Sequence, residues 1–440
     1  MKKIKEKINI FSISKFFLFL AIIINILFVL SLIFGFLNLL FHDSTYRLGQ
    51  GSDFYAFYQA GYNILHGLNP YENVSGYYIV PYSYNYRYLP FFAYTFGILF
   101  NIFPPLISYW IWVVFLLFLI WYTCWITYKI CKALNKPKWV SYVAIGMWLC
   151  FSPIYLELYM GQTTLFVGLL TFFSFYAELK KKETKGIILW ALGSLIKYIP
   201  YLITPAILSS GRTRKVIYNL IISTVAILSF GFMLFLYFLD YNLETTGKFY
   251  AHNGSFDLKN LIYLIGNVFA SNDSWFLKNN KYINIILIIT FFGLSFFATI
   301  YTKDYLYSSC LLVCSYYLAF SGIWEHHFTF ILPFLVLLWI RDEKIADKKK
   351  WFLIFVLLAI PTPFYVIDSY NLWSFPFLLL YKSSKCIPVL ILFILILIKA
   401  YKYPRQDNIV DSIKKLGNMI YIGLKNPNIE NYTNIFIQGD

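Results

Sequence analysis

The sequence predicts an all-α polytopic membrane protein, a bundle of about ten transmembrane helices, or twelve if two ambiguous stretches also cross. Of its 440 residues, 59% are apolar and only 13% are charged, about half the charged share of roughly 25% in soluble domains. Apolar runs of about 20 residues, enough to cross a hydrocarbon core of roughly 30 Å, recur from end to end. A soluble fold is excluded because even large domains expose about a quarter of the surface of the unfolded chain. Disorder is excluded because it requires low hydrophobicity and high charge.

The predicted spans follow the apolar runs in order. They lie near 13–41, 107–128, 139–158, 163–179, 216–239, 283–302, 306–323, 326–340, 351–368 and 386–401. The stretches 89–103 and 186–208 are ambiguous. If the first lies in the membrane interface and the second dips in and returns, the chain has ten spans.

The basic residues predict the orientation, because Lys and Arg concentrate on the cytoplasmic side. With ten spans, every basic cluster is cytoplasmic, so we expect a multi-pass protein of the cell membrane with both termini in the cytoplasm. Residues 1–402 then form one membrane domain, with outer loops at 42–106, 240–282 and 368–385, and 403–440 form a short polar tail. The net charge of +16 is scattered over short connections and does not indicate a nucleic-acid partner.

The first outer loop holds the most informative segment. Apolar residues three and four apart after Asp53 predict amphipathic helices lying in the interface. Ser52 is the expected N-cap, which places Asp53 in the first turn, where the helix dipole favours its ionised form. A carboxylate at a helix start is common, but a polar group held at the membrane is usually functional. Asp53 is therefore a candidate catalytic residue.

Four further polar features stand out in this apolar chain. They are Gln162 in a tight outer connection, Lys197 in an apolar stretch, the segment Trp324–His327, and Asn253 in the second outer loop. Each also has an ordinary interpretation: Lys197 snorkels to headgroups, the His pair forms an interfacial belt with Trp324, and Asn253 makes a turn. Adjacent histidines on one helix point in different directions, so at most one is expected to enter a site.

No cofactor is expected. The sequence contains no nucleotide-binding or kinase motif, so the chain does not use ATP by itself. Asp53, Glu325 and the histidines offer oxygen and nitrogen ligands, but at no spacing that predicts a metal site. The six cysteines lie in or beside apolar runs and are expected to be packing residues.

In this order, the motifs resemble glycosyltransferase family 87, within the multi-spanning GT-C superfamily. The matching segments are Asp53-Phe54, Tyr58, Ala60, Leu65-His66-Gly67, Pro70-Tyr71, Tyr88-Leu89-Pro90, Gly161-Gln162, Lys197–Pro200 and Trp324–His327. They spread over residues 51–334. Leu89 stands where the family usually has a proline, and nothing after the His pair matches, which leaves acceptor recognition open.

The resemblance implies a GT-C-type bundle that moves a sugar, most commonly mannose, from a polyprenyl-phosphate donor to a lipid or glycan acceptor at the outer face. Because a lipid phosphate leaves without a proton, one carboxylate is enough, and Asp53 is expected to act as the general base of an inverting displacement. The expected donor-phosphate ligands are Lys197, Arg87, His326 and His327. The expected sugar or acceptor ligands are Gln162, Trp324, Glu325, Tyr58 and Asn253.

Other functions share this outline and stay open. A transporter or lipid flippase predicts paired ionisable groups within the spans and repeated halves, whereas only Lys197 is recognised at depth. An outer-face polysaccharide polymerase or ligase favours arginines in a large outer loop, and Arg47 and Arg87 are the only outer arginines. A structural membrane protein would leave Asp53 as a helix-start carboxylate.

Overall fold

The computed structural model describes residues 2–41, 49–72, 79–81, 85–246, 255–269, 273–302, 304–363 and 376–402. These residues form helices and turns and contain no strand, which confirms the all-α prediction for this part of the chain. The helices are α1 Lys2–Phe34, α2 Ser52–Leu65, α3 Pro90–Phe100, α4 Pro105–Ala133, α5 Lys138–Leu149, α6 Pro153–Met160, α7 Thr164–Leu179, α8 Glu183–Ile196, α9 Ile199–Ser209, α10 Thr213–Ser229, α11 Phe232–Thr246, α12 Leu258–Phe269, α13 Asp273–Tyr301, α14 Tyr305–Ala319, α15 Leu332–Arg341, α16 Ile345–Ala359 and α17 Phe377–Lys402.

Four of these helices are long and apolar enough to cross a membrane. They contain the segments Ile10–Phe34, Pro105–Ala133, Tyr282–Tyr301 and Phe377–Lys402. Large apolar side chains on them stay exposed on the isolated protein, as expected of a lipid-facing surface. The chain is therefore a multi-pass membrane protein.

Two further predicted spans are broken helices. The run 139–158 is divided into α5 and α6, which meet at 42°, and the run 216–239 is divided into α10 and α11, which meet at 99°. Pro153 begins α6, because a proline has no N–H to continue the helix before it. Counting each bent pair as one span gives six among the described residues, so the total of ten to twelve stays a prediction.

The two ambiguous stretches are also interrupted. Helix α3 contains a π-helical turn at Ala93–Gly97 and is about 16 Å long, roughly half the hydrocarbon thickness. The second stretch ends helix α8 at Ile196, and Lys197 takes an extended backbone before α9 begins. Neither stretch is one continuous membrane-crossing helix.

The centre of the bundle is formed by helices buried on all sides. Every residue of α14 and of α15 is buried, as expected of helices that are apolar all round and packed among others. A 3₁₀ turn, Glu325–Phe330, leads into α15. This turn therefore lies in the protein interior, between the buried helices α14 and α15.

Charged networks occupy the last turns of several helices. Arg341 at the end of α15 donates to Asp304 at 2.7 Å, and Lys399 in α17 lies 2.7 Å from Asp342. Near the end of α7, Glu178 accepts a hydrogen bond from Arg212 at 3.1 Å. These networks neutralise basic clusters that the charge pattern assigns to the cytoplasmic side.

Helices α2 and α3 cross at two glycines. A Cβ atom added to Gly61 would lie 2.0 Å from the carbonyl oxygen of Gly97, so the two backbones are in direct contact. Small residues allow helices in membrane proteins to approach in this way. The crossing fixes the helix that carries Asp53.

Candidate active site

Helix α2 places Asp53 at its first turn. The helix begins at Ser52 with Gly51 as its N-cap, so the prediction of a Ser52 cap is wrong and the prediction of Asp53 in the first turn is confirmed. The cap lies at Gly51 because its N–H donates to the Tyr159 carbonyl at 2.8 Å, which ties the start of α2 to the end of α6. Ser52 is buried instead, and its hydroxyl makes no cap hydrogen bond.

The Asp53 carboxylate is partly buried and polar groups face it. Its Oδ2 atom accepts no hydrogen bond from the described residues. Burial raises the pKa of Asp53 from its usual value of 3.8 to about 6, although a hydrogen bond from Gln162 and the charges of Lys197 and Arg87 act in the opposite direction. The carboxylate is ionised at neutral pH and is more basic than an ordinary aspartate.

The tight connection between α6 and α7 brings Gln162 to Asp53. Gly161 has a φ of 68°, a left-handed conformation that favours glycine, and a Cβ there would lie 2.6 Å from the Phe54 Cβ. The side-chain oxygen Oε1 of Gln162 accepts from the Tyr88 hydroxyl at 2.5 Å and from the Thr163 N–H at 3.3 Å. Because both bonds use the oxygen, the amide N–H group is the one left to donate to Asp53.

Lys197 reaches the same site from the break between α8 and α9. Its Nζ donates to the Thr164 hydroxyl at 2.7 Å and lies 5.6 Å from the centre of the Tyr88 ring. Its charge interacts with those of Asp53 and Glu157. The structure thus brings a cation to the carboxylate from a residue far away in sequence.

One histidine of the pair lies close to this cation. His327 accepts the Trp324 N–H on Nδ1 at 3.2 Å, so its neutral ring carries the proton on Nε2. It lies within electrostatic range of Lys197. His326 is buried, its ring centre is 4.3 Å from that of His327, and its backbone carbonyl oxygen lies 2.8 Å from the Thr329 hydroxyl oxygen.

The sequence profile of glycosyltransferase family 87 matches residues 86–321, more than half of the chain. The chain belongs to glycosyltransferase family 87. It is therefore a membrane glycosyltransferase. A comparison with curated proteins finds no match. The matched region of this family 87 chain contains Arg87, Gln162 and Lys197, whereas Asp53 and the segment Trp324–His327 lie outside it.

Other predicted ligands of the family 87 chain have partners within the fold or act on Asp53 only through charge. Glu325 forms a fully buried ion pair with Lys385 at 3.1 Å, and the Tyr58 hydroxyl donates to the Phe103 carbonyl at 2.9 Å. Arg87 is exposed and acts on Asp53 through its charge. Asn253 lies outside the described residues. The structure therefore brings together Asp53, Gln162, Lys197, Arg87 and His327, and it gives Glu325 and Tyr58 partners within the fold.

Sequence reasoning missed three residues of this cluster: Tyr88, Glu157 and Thr164. Tyr88 was noted only as part of the matching segment Tyr88-Leu89-Pro90. Thr164 resembles any polar residue at a helix start. Glu157, however, lies between Leu156 and Leu158 within a predicted span. An ionisable residue there indicates function, so this signal was present in the sequence.

A metal centre has no support in the geometry that the structure describes. No group of three or more His, Cys, Asp or Glu side chains in the described segments is arranged to hold a metal ion. The cations that face Asp53 are instead side chains of the protein.

Proposed function

We propose that this glycosyltransferase moves a sugar from a polyprenyl-phosphate donor to an acceptor hydroxyl at the outer membrane face, with Asp53 as the general base. The observation that carries the proposal is the Asp53 carboxylate, with one oxygen unpartnered among the described residues and a cation nearby. The resemblance favours mannose as the sugar.

The carboxylate suits proton abstraction from an acceptor hydroxyl. With a pKa of about 6, Asp53 is ionised at neutral pH, and the Gln162 amide orients it. General base assistance contributes about 10²–10⁴-fold to a rate. A lipid phosphate leaves without a proton, so no second carboxylate is required, unlike the pair in a glycosidase. Attack opposite the leaving phosphate inverts the sugar carbon.

The departing phosphate gains charge and needs donors. Lys197 carries three N–H groups, of which one is bonded to Thr164. The Nε2–H of His327, which lies within electrostatic range of Lys197, and the Arg87 guanidinium, which acts on Asp53, are further donors. Charge-assisted hydrogen bonds are about twice as strong as neutral ones.

A small apolar cleft is lined in part by residues that are close in sequence to Tyr88 and Lys197. It is lined by Leu89, Pro90, Phe91, Leu195, Ala226, Ile227 and Phe230. Leu89 follows Tyr88, and Leu195 comes two residues before Lys197, so the cleft is lined by the two segments that carry these residues. We assign it to the first isoprenoid units of the donor.

The test is the replacement Asp53→Asn in full-length protein, assayed in membranes with a panel of polyprenyl-phosphate sugars. The amide keeps the shape of the side chain but accepts no proton, so we expect turnover to fall by about 10²–10⁴-fold. The matched control is Asp347→Asn on α16, which removes a partly exposed carboxylate that pairs with Lys399. Retained turnover in the Asp53 variant would refute the base assignment.

A further inference from the structure

The reaction proposed above assigns no role to one buried carboxylate near the site. Glu157, on α6, is fully buried. Its Oε1 accepts from the Thr329 hydroxyl at 3.0 Å, and the Thr164 side chain also hydrogen-bonds to the carboxylate. Removing a carboxylate from water is costly unless a cation compensates it. The cation that compensates Glu157 therefore indicates the role of this side chain.

Lys197 is the cation that faces Glu157. The charges of the two side chains interact, and Glu157 acts on Lys197 more strongly than Asp53 does. Thr164 joins the two side chains, since its hydroxyl accepts from Lys197 at 2.7 Å and its side chain also hydrogen-bonds to Glu157. The backbone N–H of Gln162 donates to the backbone carbonyl of Glu157 at 2.9 Å. The connection that carries Gln162 and Thr164 therefore lies next to both Glu157 and Lys197.

We propose that Glu157 is a positioning residue, the counter-charge that keeps Lys197 ionised and directed at the donor phosphate. This inference rests on the proposed function, because it assumes that Lys197 binds that phosphate. It assigns Glu157 to donor binding and leaves proton abstraction to Asp53.

The division of work follows from desolvation. A lysine in an apolar site favours its neutral form unless an anion is close, and a neutral amine binds a phosphate poorly. If Asp53 were the only anion near Lys197, the two would pair, and the base would be occupied. A second carboxylate compensates the positive charge of the lysine and leaves the Asp53 oxygen available for the acceptor hydroxyl.

The Thr329 hydrogen bond extends this arrangement to the histidine. Thr329 lies two residues after His327 in the 3₁₀ turn and donates to Glu157. The carboxylate therefore joins the turn that carries His327 to the helix break that carries Lys197. Glu157 therefore contacts the turn that carries His327 and acts on Lys197 through its charge.

The experiment measures donor and acceptor KM in the variant Glu157→Gln. The amide keeps the hydrogen bond from Thr329 but removes the charge, so we expect the donor KM to rise by about tenfold to a hundredfold, the range for a hydrogen bond to a charged group. The acceptor KM should stay unchanged. The matched control is Glu178→Gln on α7, about 21 Å along the helix from Thr164, where a carboxylate pairs with Arg212 and Lys215. It should leave the donor KM unchanged.

A double-mutant cycle shows whether Glu157 acts through Lys197. In a Lys197→Met background, Glu157→Gln should add no further rise in donor KM, because the cation that it compensates is gone. Additive effects, or equal rises in donor and acceptor KM, would overturn the proposal and indicate a structural role. If Glu157→Gln fails to accumulate, Glu157→Met, which also removes the charge, replaces it, and a donor KM equal to that of the wild type would then refute the inference. An inactive Asp53→Asn variant beside a normal Glu157→Gln variant rejects this inference alone, whereas an active Asp53→Asn variant rejects the proposed function.

Discussion

The pH dependence of sugar transfer tests the state of Asp53 directly. The base must be ionised, and the pKa of Asp53 is raised to about 6 by burial. The kcat/KM should therefore fall below pH 6, with the acid limb centred near pH 6. At pH 5, roughly one tenth of the carboxylate is ionised, so we expect about a tenfold loss relative to pH 7.

Replacing Gln162, which hydrogen-bonds to Asp53, should shift the acid limb of the pH profile in a predictable direction. The Gln162 amide stabilises the ionised form and so lowers the pKa of Asp53. In Gln162→Leu that hydrogen bond is lost, and the limb should move to higher pH. A hydrogen bond to a charged group contributes about 1.5 kcal/mol or more, and 1.36 kcal/mol corresponds to one pKa unit, so the shift should be about one pH unit.

The assay measures initial rates of sugar transfer in detergent at a saturating acceptor concentration. The donor concentration is varied at each pH between about 4.5 and 8. The donor phosphodiester stays ionised over this range, so the limb reports on the protein. The matched control is Asn101→Leu, which removes another partly buried side-chain amide, one that donates to the Tyr58 and Gly97 carbonyls. This control should leave the acid limb where the wild type has it. A limb that stays in place in Gln162→Leu, or that moves to lower pH, would contradict the geometry around Asp53.

Three further predictions concern donor binding, the cleft and the fold. Lys197→Met should raise the donor KM by about tenfold to a hundredfold with a smaller change in acceptor KM, measured by initial rates. Ala226→Phe should fill the apolar cleft and weaken long-chain donors more than short-chain ones, and equal effects on both would contradict the cleft assignment. Gly61→Ala should lower the unfolding temperature in detergent, because its Cβ would lie 2.0 Å from the Gly97 carbonyl oxygen, whereas Gly293→Ala, with open space around it, should not.

Composition and apolar runs were enough to predict the helical membrane fold, but not the shape of its helices. Hydropathy averages over a window and does not register where a helix breaks. The runs 139–158 and 216–239 look continuous in sequence, yet the structure bends them by 42° and 99°. Pro153 marks the first break, and the size of either bend depends on tertiary packing that no local pattern contains.

The site was predictable where a polar residue interrupted an apolar stretch. Gln162 and Lys197 stand out in this way, and the structure brings both to Asp53. The Ser52 cap was predicted wrongly because local propensity favours serine, whereas a long-range bond from Gly51 to Tyr159 decides where the helix begins. Glu325 was assigned to the site from its neighbours in sequence, and its partner Lys385 lies 60 residues away in the chain.

Four of the residues that meet at the site lie at helix ends or interruptions. Asp53 follows a helix start, Gln162 lies in the turn between α6 and α7, Lys197 ends α8, and His327 lies in a 3₁₀ turn. Breaking a helix frees backbone polar groups, which a membrane protein tolerates only where the break is buried in protein or lines a cavity. Four interruptions converging around one carboxylate therefore indicate a polar cavity that the fold maintains at a cost in stability, and sugar transfer supplies the reason to maintain it.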